Sequence, residues 1–226
     1  MTKDTIRRIT ALRQINSATN YLEIGIADGS NFNGVQIPRK TGVDIDLTRF
    51  QPGEDTFQGS ARLYEESSDN FFRNSAEGIY DIIFLDGLHT AEQTFRDFLS
   101  SLDFASPSTI WLIDDVLPSS ALSSVPDLHK WHKIRRLLNS DEGQWHGDVF
   151  RCMLLMRATF STFSFATITD QGNPQSLVWR GNNPTPCINL SLEEIARFTF
   201  FDLIENLSLL NPVSEDSALN MVRDSL

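Results

Sequence analysis

The stretch Tyr80-Asp-Ile-Ile-Phe-Leu-Asp86-Gly87-Leu88-His89 is an apolar run that ends in an acidic residue, a glycine and a histidine. An apolar run of this length, bounded by a turn signal, reads as a buried strand. A second run, Thr109-Ile-Trp-Leu-Ile113, ends in Asp114-Asp115. Two strands that end in carboxylates, one with a histidine just beyond, resemble the rim of an α/β active site. Carboxylate oxygens are hard ligands suited to Mg²⁺, Ca²⁺ or Mn²⁺. Blander readings stand beside this one. Asp114-Asp115 fits a helix cap or a salt-bridged turn, and His89 fits the start of a helix.

Strand and helix signals alternate on both sides of this stretch. Ile6, Ile9, Leu12 and Ile15 recur every third residue, which predicts an amphipathic helix over residues 3–17. Asn20 to Gly25 reads as a short buried strand entering a glycine turn, Thr41 to Asp46 as a second strand end, and Phe57 to Ala61 as a third strand. Arg62 to Ala76 reads as polar and partly helical, anchored by Phe71 and Phe72. Thr90 to Leu102 reads as a helix, with Phe95, Phe98, Leu99 and Leu102 on one face. This alternation predicts a doubly wound, mostly parallel sheet. After Asp115 the character changes. Val116–Pro126 is a Ser- and Pro-rich loop and Leu128–Leu138 a basic helix. Val149–Met156 and Thr162–Thr169 are β-like runs, followed by Gln171-Gly-Asn-Pro and a further β-like run, Ser176–Trp179, together the composition of a closing antiparallel hairpin. Leu192–Leu210 reads as a C-terminal helix with Ser191 as its N-cap.

Composition narrows the partners. The 226 residues carry a formal net charge of -11, and 40% are hydrophobic. That supports one large domain with a real core. An acidic surface repels phosphates and anionic lipid, so neither nucleic acid nor membrane is expected. Cys152 and Cys187 fit neither a metal spacing nor a disulfide framework, and are expected as buried thiols in a reducing cytoplasm. No apolar run approaches the roughly 20 residues of a membrane span. Among the other histidines, His129, His132 and His146 lack a ligand spacing and read as surface or structural. Phe160–Phe165 reads as core strand, and Lys130–Arg136 as a solvated helix face. Ile195, Phe198, Phe200 and Phe201 form an apolar cluster that leaves a homo-oligomer open, or simply packs on the core.

Two upstream segments add a candidate ligand site. Glu23-Ile-Gly25-Ile-Ala27-Asp28-Gly29-Ser30 follows a strand, and glycines there allow a ligand close to the backbone. The dinucleotide spacing Gly-x-Gly-x-x-Gly is absent, and an ordinary βα turn fits equally well. Asp44, at the end of the next strand, can accept both hydroxyls of a ribose; Asp46 is the alternative, and a solvated turn the bland reading.

Taken in order, Glu-x-Gly-x-x-x-Gly, Gly-Val-Asp, Gly-Ser-Ala, Asp-Ile-Ile-Phe-Leu-Asp-Gly-x-His and Ile-Asp-Asp resemble the class I S-adenosylmethionine-dependent methyltransferases. The last two are similar to the metal-dependent small-molecule O-methyltransferases, especially those acting on sugar hydroxyls of natural products. The resemblance spans residues 20–116, and more loosely Trp145–Phe150. It implies a Rossmann-like, mostly parallel seven-stranded sheet with a C-terminal antiparallel hairpin. It also implies a single domain over 1–226: an N-terminal helix over 1–19, a cofactor and metal core over 20–116, and acceptor loop, closing strands and helix over 117–226. Glu23, Gly25, Ala27 and Gly29 would line the pocket for the methionine part of S-adenosylmethionine. Ala27 replaces a frequent glycine, which suits a negative φ. Asp44 would hold the ribose, and Ser60 and Ala61 would lie beside the adenine. Asp86, Asp114 and Asp115 would bind Mg²⁺ or another hard divalent cation, and His89 would be the general base. The acceptor would be a small polyhydroxyl molecule. A nicotinamide-dependent oxidoreductase, a non-catalytic S-adenosylmethionine-binding protein and a metal-independent methyltransferase are the rivals.

Overall fold

The computed structural model describes residues 2–57, 60–182 and 184–226. Five parallel strands come first in the chain: β1 (Asn20–Ile24), β2 (Arg39–Asp44), β3 (Ala61–Glu65), β4 (Tyr80–Leu85) and β5 (Ala105–Ile113). An antiparallel pair follows, β6 (Phe163–Ile168) and β7 (Gln175–Arg180), then the two-residue β8 (Pro212–Val213). The order across the sheet is β3-β2-β1-β4-β5-β7-β6-β8. The Rossmann-like, mostly parallel sheet and its terminal hairpin are as expected. The eighth strand is an addition, a short parallel partner of β6.

The strands are apolar on both faces because both are covered. Ile83, Leu85, Trp111 and Ile113 face one core; their alternates Ile82, Phe84, Ile110 and Leu112 face the other. In the chain's numbering the helices are α1 (Thr2–Asn16), α2 (Ser30–Gly34), the single turns α3 (Glu54–Phe57) and α4 (Ser68–Asn70), α5 (Ala91–Ser101), α6 (Leu128–Leu137), α7 (Val149–Thr159), α8 (Leu192–Arg197), α9 (Phe200–Glu205) and α10 (Glu215–Ser225). The first core holds Phe98 of α5 and Met153 of α7. The second holds Ile9 and Leu12 of α1 and Val222 of α10. Phe98, Trp111, Phe160 and Phe163 meet edge to face, with centroids 5.3–5.8 Å apart. The aromatic segment is therefore core. No helix among the described residues is long and apolar enough to cross a membrane.

Four local expectations are corrected. The third strand runs over Ala61–Glu65, not residues 57–61, of which Gln58 and Gly59 lie outside the described residues. As an edge strand it carries exposed polar side chains, so its sequence imitates a surface helix. Val149–Met156 is helical, not extended. Seven residues of α7 are buried, including Cys152 and Leu154, and a helix buried nearly all round shows no helical period. The C-terminal helix is broken after Arg197, because Thr199 and Asp202 form a second capping box behind that of Ser191 and Glu194. A 3₁₀ turn over Leu207–Leu210 and then α10 follow. Cys187 is exposed, whereas Cys152 is buried. The apolar cluster near the C-terminus divides: Ile195 is buried, while Phe201 stands out in solvent.

Candidate active site

Strand order reverses between β1 and β4, where the chain leaves in opposite directions across the sheet. Crevices for ligands open at such switch points, outside the carboxyl ends of the strands. A cavity of about 530 Å³ lies there, walled by Gly25, Ala27, Asp44, Ser67, Asp86 and His89, with Leu128 and Trp145 across from them.

The β1 side is shaped by backbone. Gly25 has φ 88° and donates its N–H to Val43 O at 2.8 Å. A Cβ there would sit 2.1 Å from the carbonyl oxygen of Asp86, so only glycine lets β1 and β4 close to this distance. Ala27 has φ 47°, the opposite sign to that expected. The left-handed conformation costs an alanine roughly 1–2 kcal/mol. Its N–H donates to Asp44 Oδ2 at 2.8 Å, which offsets part of that cost. Asp44 Oδ1 accepts from Asp46 N at 3.1 Å. The same carboxylate thus ties the turn after β1 to the turn after β2.

Glu23 and Gly29 stand behind the cavity rather than lining it. Glu23 is buried and accepts from the Tyr21 hydroxyl at 2.7 Å. Burial pushes its carboxyl up to about 8, against the opposing effects of Tyr21 and Lys40. Gly29 packs under the Phe50 ring at the N-terminus of α2. Ser60 and Ala61 are at the amino end of β3, opposite the end that borders this cavity. Ala61 pairs with Lys40, at the amino end of β2, and Ser60 lines a separate cavity with Arg39 and Tyr80. Glu65 is the residue level with Asp44, so Glu66, Ser67 and Ser68 occupy the position expected of Ser60 and Ala61.

The β4–β5 side is shaped by charge. One ligand atom each from Asp86, His89 and Asp115 lies within 4.8 Å of the others. His89 Nδ1 contacts Asp115 Oδ2, and His146 Nε2 lies 3.9 Å from Asp115 Oδ1. The expected cation trio was Asp86, Asp114 and Asp115; the side chains that converge are Asp86, His89 and Asp115. Asp114 stands alongside, with Oδ1 accepting from Asp115 N at 2.9 Å, Gln175 Nε2 at 3.2 Å and Asn173 Nδ2. Burial, and then the charges of Asp114, Asp115 and Glu23, hold the Asp86 carboxyl well above the usual range. Burial and Asp115 push Asp114 up to about 6. Burial opposes the charge of Asp115 too, but the hydrogen bond and charge of His89 prevail and lower it. His89 is raised, because Asp115 outweighs the effect of its burial. This is a set of buried acids short of positive charge, and a divalent cation fits that deficit.

The wall opposite comes from a segment only loosely signalled by the sequence. The Trp145 ring lies 5.3 Å from that of His89. Gly147 has φ 61°, and a Cβ there would lie 1.6 Å from His89 O. Asp148 Oδ1 accepts from Ala91 N at 2.9 Å, at the start of α5. His146, expected on the surface or in a structural role, is buried beside Asp115. Sequence reasoning passed over it because no spacing links it to His89; only the fold does.

Residues 22–116 match the family model described as a methyltransferase domain. Among solved structures, the chain is similar to the O-methyltransferase TomG from Streptomyces achromogenes, involved in tomaymycin synthesis and in complex with SAM, at TM-score 0.56 and 13% identity over 79% of each chain. It is similar to an O-methyltransferase from Bacillus cereus in complex with SAH, at TM-score 0.53 and 15% identity over 78% of this chain and 79% of that one. An SAH-bound methyltransferase from Podospora anserina gives TM-score 0.52 and 16% identity over 78% of each chain. No curated protein matches the sequence. At such identities the structural likeness speaks for the fold. The chain therefore has the Rossmann-like fold of these methyltransferases, its residues 22–116 match the methyltransferase-domain model, and it resembles the small-molecule O-methyltransferases.

Proposed function

We propose that this protein moves the methyl group of S-adenosylmethionine to a hydroxyl of a small molecule, a sugar or another polyhydroxyl natural product. One observation carries the reading. The cavity at the β1–β4 switch point has a tight-turn flank at one side and an acid–histidine cluster at the other. A methyl donor needs the first and an alcohol acceptor needs the second.

The cofactor would supply an electrophilic methyl on a sulfonium. Gly25 and Ala27 would admit its methionine part close to the backbone, and Asp44 would accept from the ribose hydroxyls. Both oxygens of Asp44 already take one backbone N–H each, and each keeps a second lone pair. Ser67 and Ser68 would border the adenine. Asp86 and Asp115, with Asp114 beside them, would hold a divalent cation, which would stabilise alkoxide charge developing on the acceptor. His89 would take the hydroxyl proton. Its Nδ1 faces Asp115, which leaves Nε2 as the accepting atom and favours the tautomer that can accept there. Trp145 and Leu128 would limit water at the reacting atoms.

Thermal unfolding with added ligand tests the reading. At about a hundredfold excess over Kd, S-adenosylhomocysteine should stabilise the fold by about 2.7 kcal/mol. For a chain of this size that is a rise of about 5–10 °C. NAD should give none. No shift with S-adenosylhomocysteine would remove the methyltransferase reading, and full turnover in excess EDTA would remove the cation from it.

A further inference from the structure

The carboxylates of Asp114 and Asp115 are held from behind by a buried polar chain that begins on the first helix. Arg8 of α1 is 0% exposed. Its Nε donates to Glu215 Oε2 of α10 at 2.8 Å. Its Nη1 donates to Asn173 O at 2.7 Å and to Gln175 Oε1 at 2.6 Å, and its Nη2 to Gln171 O. Arg7 Nε donates in turn to Glu215 Oε1 at 2.7 Å.

A guanidinium is a donor only, and this settles the orientation of the Gln175 amide. Gln175 must present its oxygen to Arg8, so its Nε2 is turned the other way, to Thr5 Oγ1 at 2.9 Å and Asp114 Oδ1 at 3.2 Å. Asn173 gives its backbone oxygen to Arg8, which fixes the turn between β6 and β7. Its Nδ2 then reaches Asp114 Oδ1 and, at 3.1 Å, Asp115 Oδ1. Two neutral amides therefore donate to one oxygen of each aspartate. Neither amide engages the other oxygen of either aspartate: Asp115 Oδ2 meets His89, and the Asp114 carboxyl is also paired with that of Asp86.

We infer that Arg8, Asn173 and Gln175 are positioning residues for the carboxylate pair. The amides select which oxygen of Asp114 and of Asp115 is offered to a divalent cation; Arg8 locks the Gln175 amide in that sense and holds the backbone that carries Asn173. The inference rests on the cation reading given above. It also ties α1 and α10 to the chemistry of the acceptor flank. Donor groups placed behind metal-binding carboxylates typically govern affinity by 10–100-fold.

Calorimetric titration of the full-length protein with Mn²⁺ alone tests it, with S-adenosylhomocysteine titrated separately. Asn173→Ala and Gln175→Met should each weaken Mn²⁺ binding by about 10–100-fold while leaving the S-adenosylhomocysteine Kd unchanged. Arg8→Lys, which can hold one acceptor but not the whole set, should fall between wild type and these. Wild-type Mn²⁺ affinity in both Asn173→Ala and Gln175→Met overturns the inference while leaving the cation reading intact. Equal losses for Mn²⁺ and for S-adenosylhomocysteine overturn it in favour of a general scaffold role. A wild-type protein that binds no Mn²⁺ removes the cation reading itself, and the inference with it. Should Arg8→Lys fail to fold, the two amide variants decide.

Discussion

The two flanks of the cavity are built in different ways. On the β1–β2 side the shape is set by main chain: Gly25 at positive φ against Asp86 O, and Ala27 held in the left-handed region by Asp44. On the β4–β5 side it is set by side-chain charge: Asp86, His89 and Asp115 within 4.8 Å, with Asp114 beside them. The first flank should resist any added atom. The second should respond to each charge removed, with little change in fold. Binding of the donor and activation of the acceptor would then separate by mutation, although the two flanks share a wall at the Gly25–Asp86 contact.

The largest separation is expected at His89. His89→Ala should slow methyl transfer in a single turnover by about 10²–10⁴, the usual contribution of a positioned base. The affinity for S-adenosylhomocysteine should stay as in wild type, because the base acts on the acceptor. A parallel loss of rate and of cofactor affinity would break the contrast between the flanks, and an unchanged rate would exclude His89 as the base.

The contrast also explains which parts were legible in the sequence. Strand ends that carry carboxylates are read directly, because a buried strand is a continuous apolar run and a charge must mark its exit. Asp44, Asp86, Asp114 and Asp115 all fall where their strands end. Edges and all-round burial hide the pattern. β3 is an edge strand whose polar residues imitate a helix, so Ser60 and Ala61 read as the end of a strand when they stand at its start. α7 is so fully buried that its period disappears. His146, Asn173 and Gln175 reach the site from other elements, and no local spacing points to them. Arg8 is harder still: a basic residue on an amphipathic helix ordinarily reads as solvated, and only the closing of α10 and of the β6–β7 turn over it makes it buried.

A smaller effect is expected from pH at Glu23, which lies beneath the main-chain flank and carries a titratable carboxyl. Its carboxyl is pushed up from 4.5 to about 8, first by burial. Between those values the folded protein keeps a proton that the unfolded chain has released. Stability therefore falls as pH rises through this window; the contribution is whole below the unfolded value and lost above the folded one. Asp97, pushed up to about 6 chiefly by burial, acts in the same direction over a narrower range. Glu23→Gln keeps an acceptor for the Tyr21 hydroxyl and has nothing to titrate. Its melting temperature should fall less steeply between pH 5 and pH 8 than that of the wild type, the two ending about 10 °C apart at the upper end. Parallel curves for the two proteins would show that the buried glutamate is not what makes this flank sensitive to pH.

The smallest effect distinguishes two serines at opposite ends of one strand. Ser60 precedes β3 and borders the cavity of Arg39 and Tyr80, away from the switch point. Ser67 follows β3, borders the cavity of Gly25 and Asp44, and caps the next helical turn by accepting from Asn70 N at 3.2 Å. If the adenine lies beside the carboxyl end of β3, Ser60→Ala should leave the S-adenosylhomocysteine Kd unchanged. Ser67→Ala should weaken it by a few-fold, the worth of about one hydrogen bond of 0.5–1.5 kcal/mol. The cap itself accounts for about 1 kcal/mol of local helix stability, so the comparison is made on affinity and not on melting temperature alone. Equal effects of the two substitutions would mean that the cofactor does not discriminate between the ends of β3. The tight-turn flank would then lose its claim to the donor, since Asp44 and Ser67 lie at the same end of adjacent strands and must act on the same ligand.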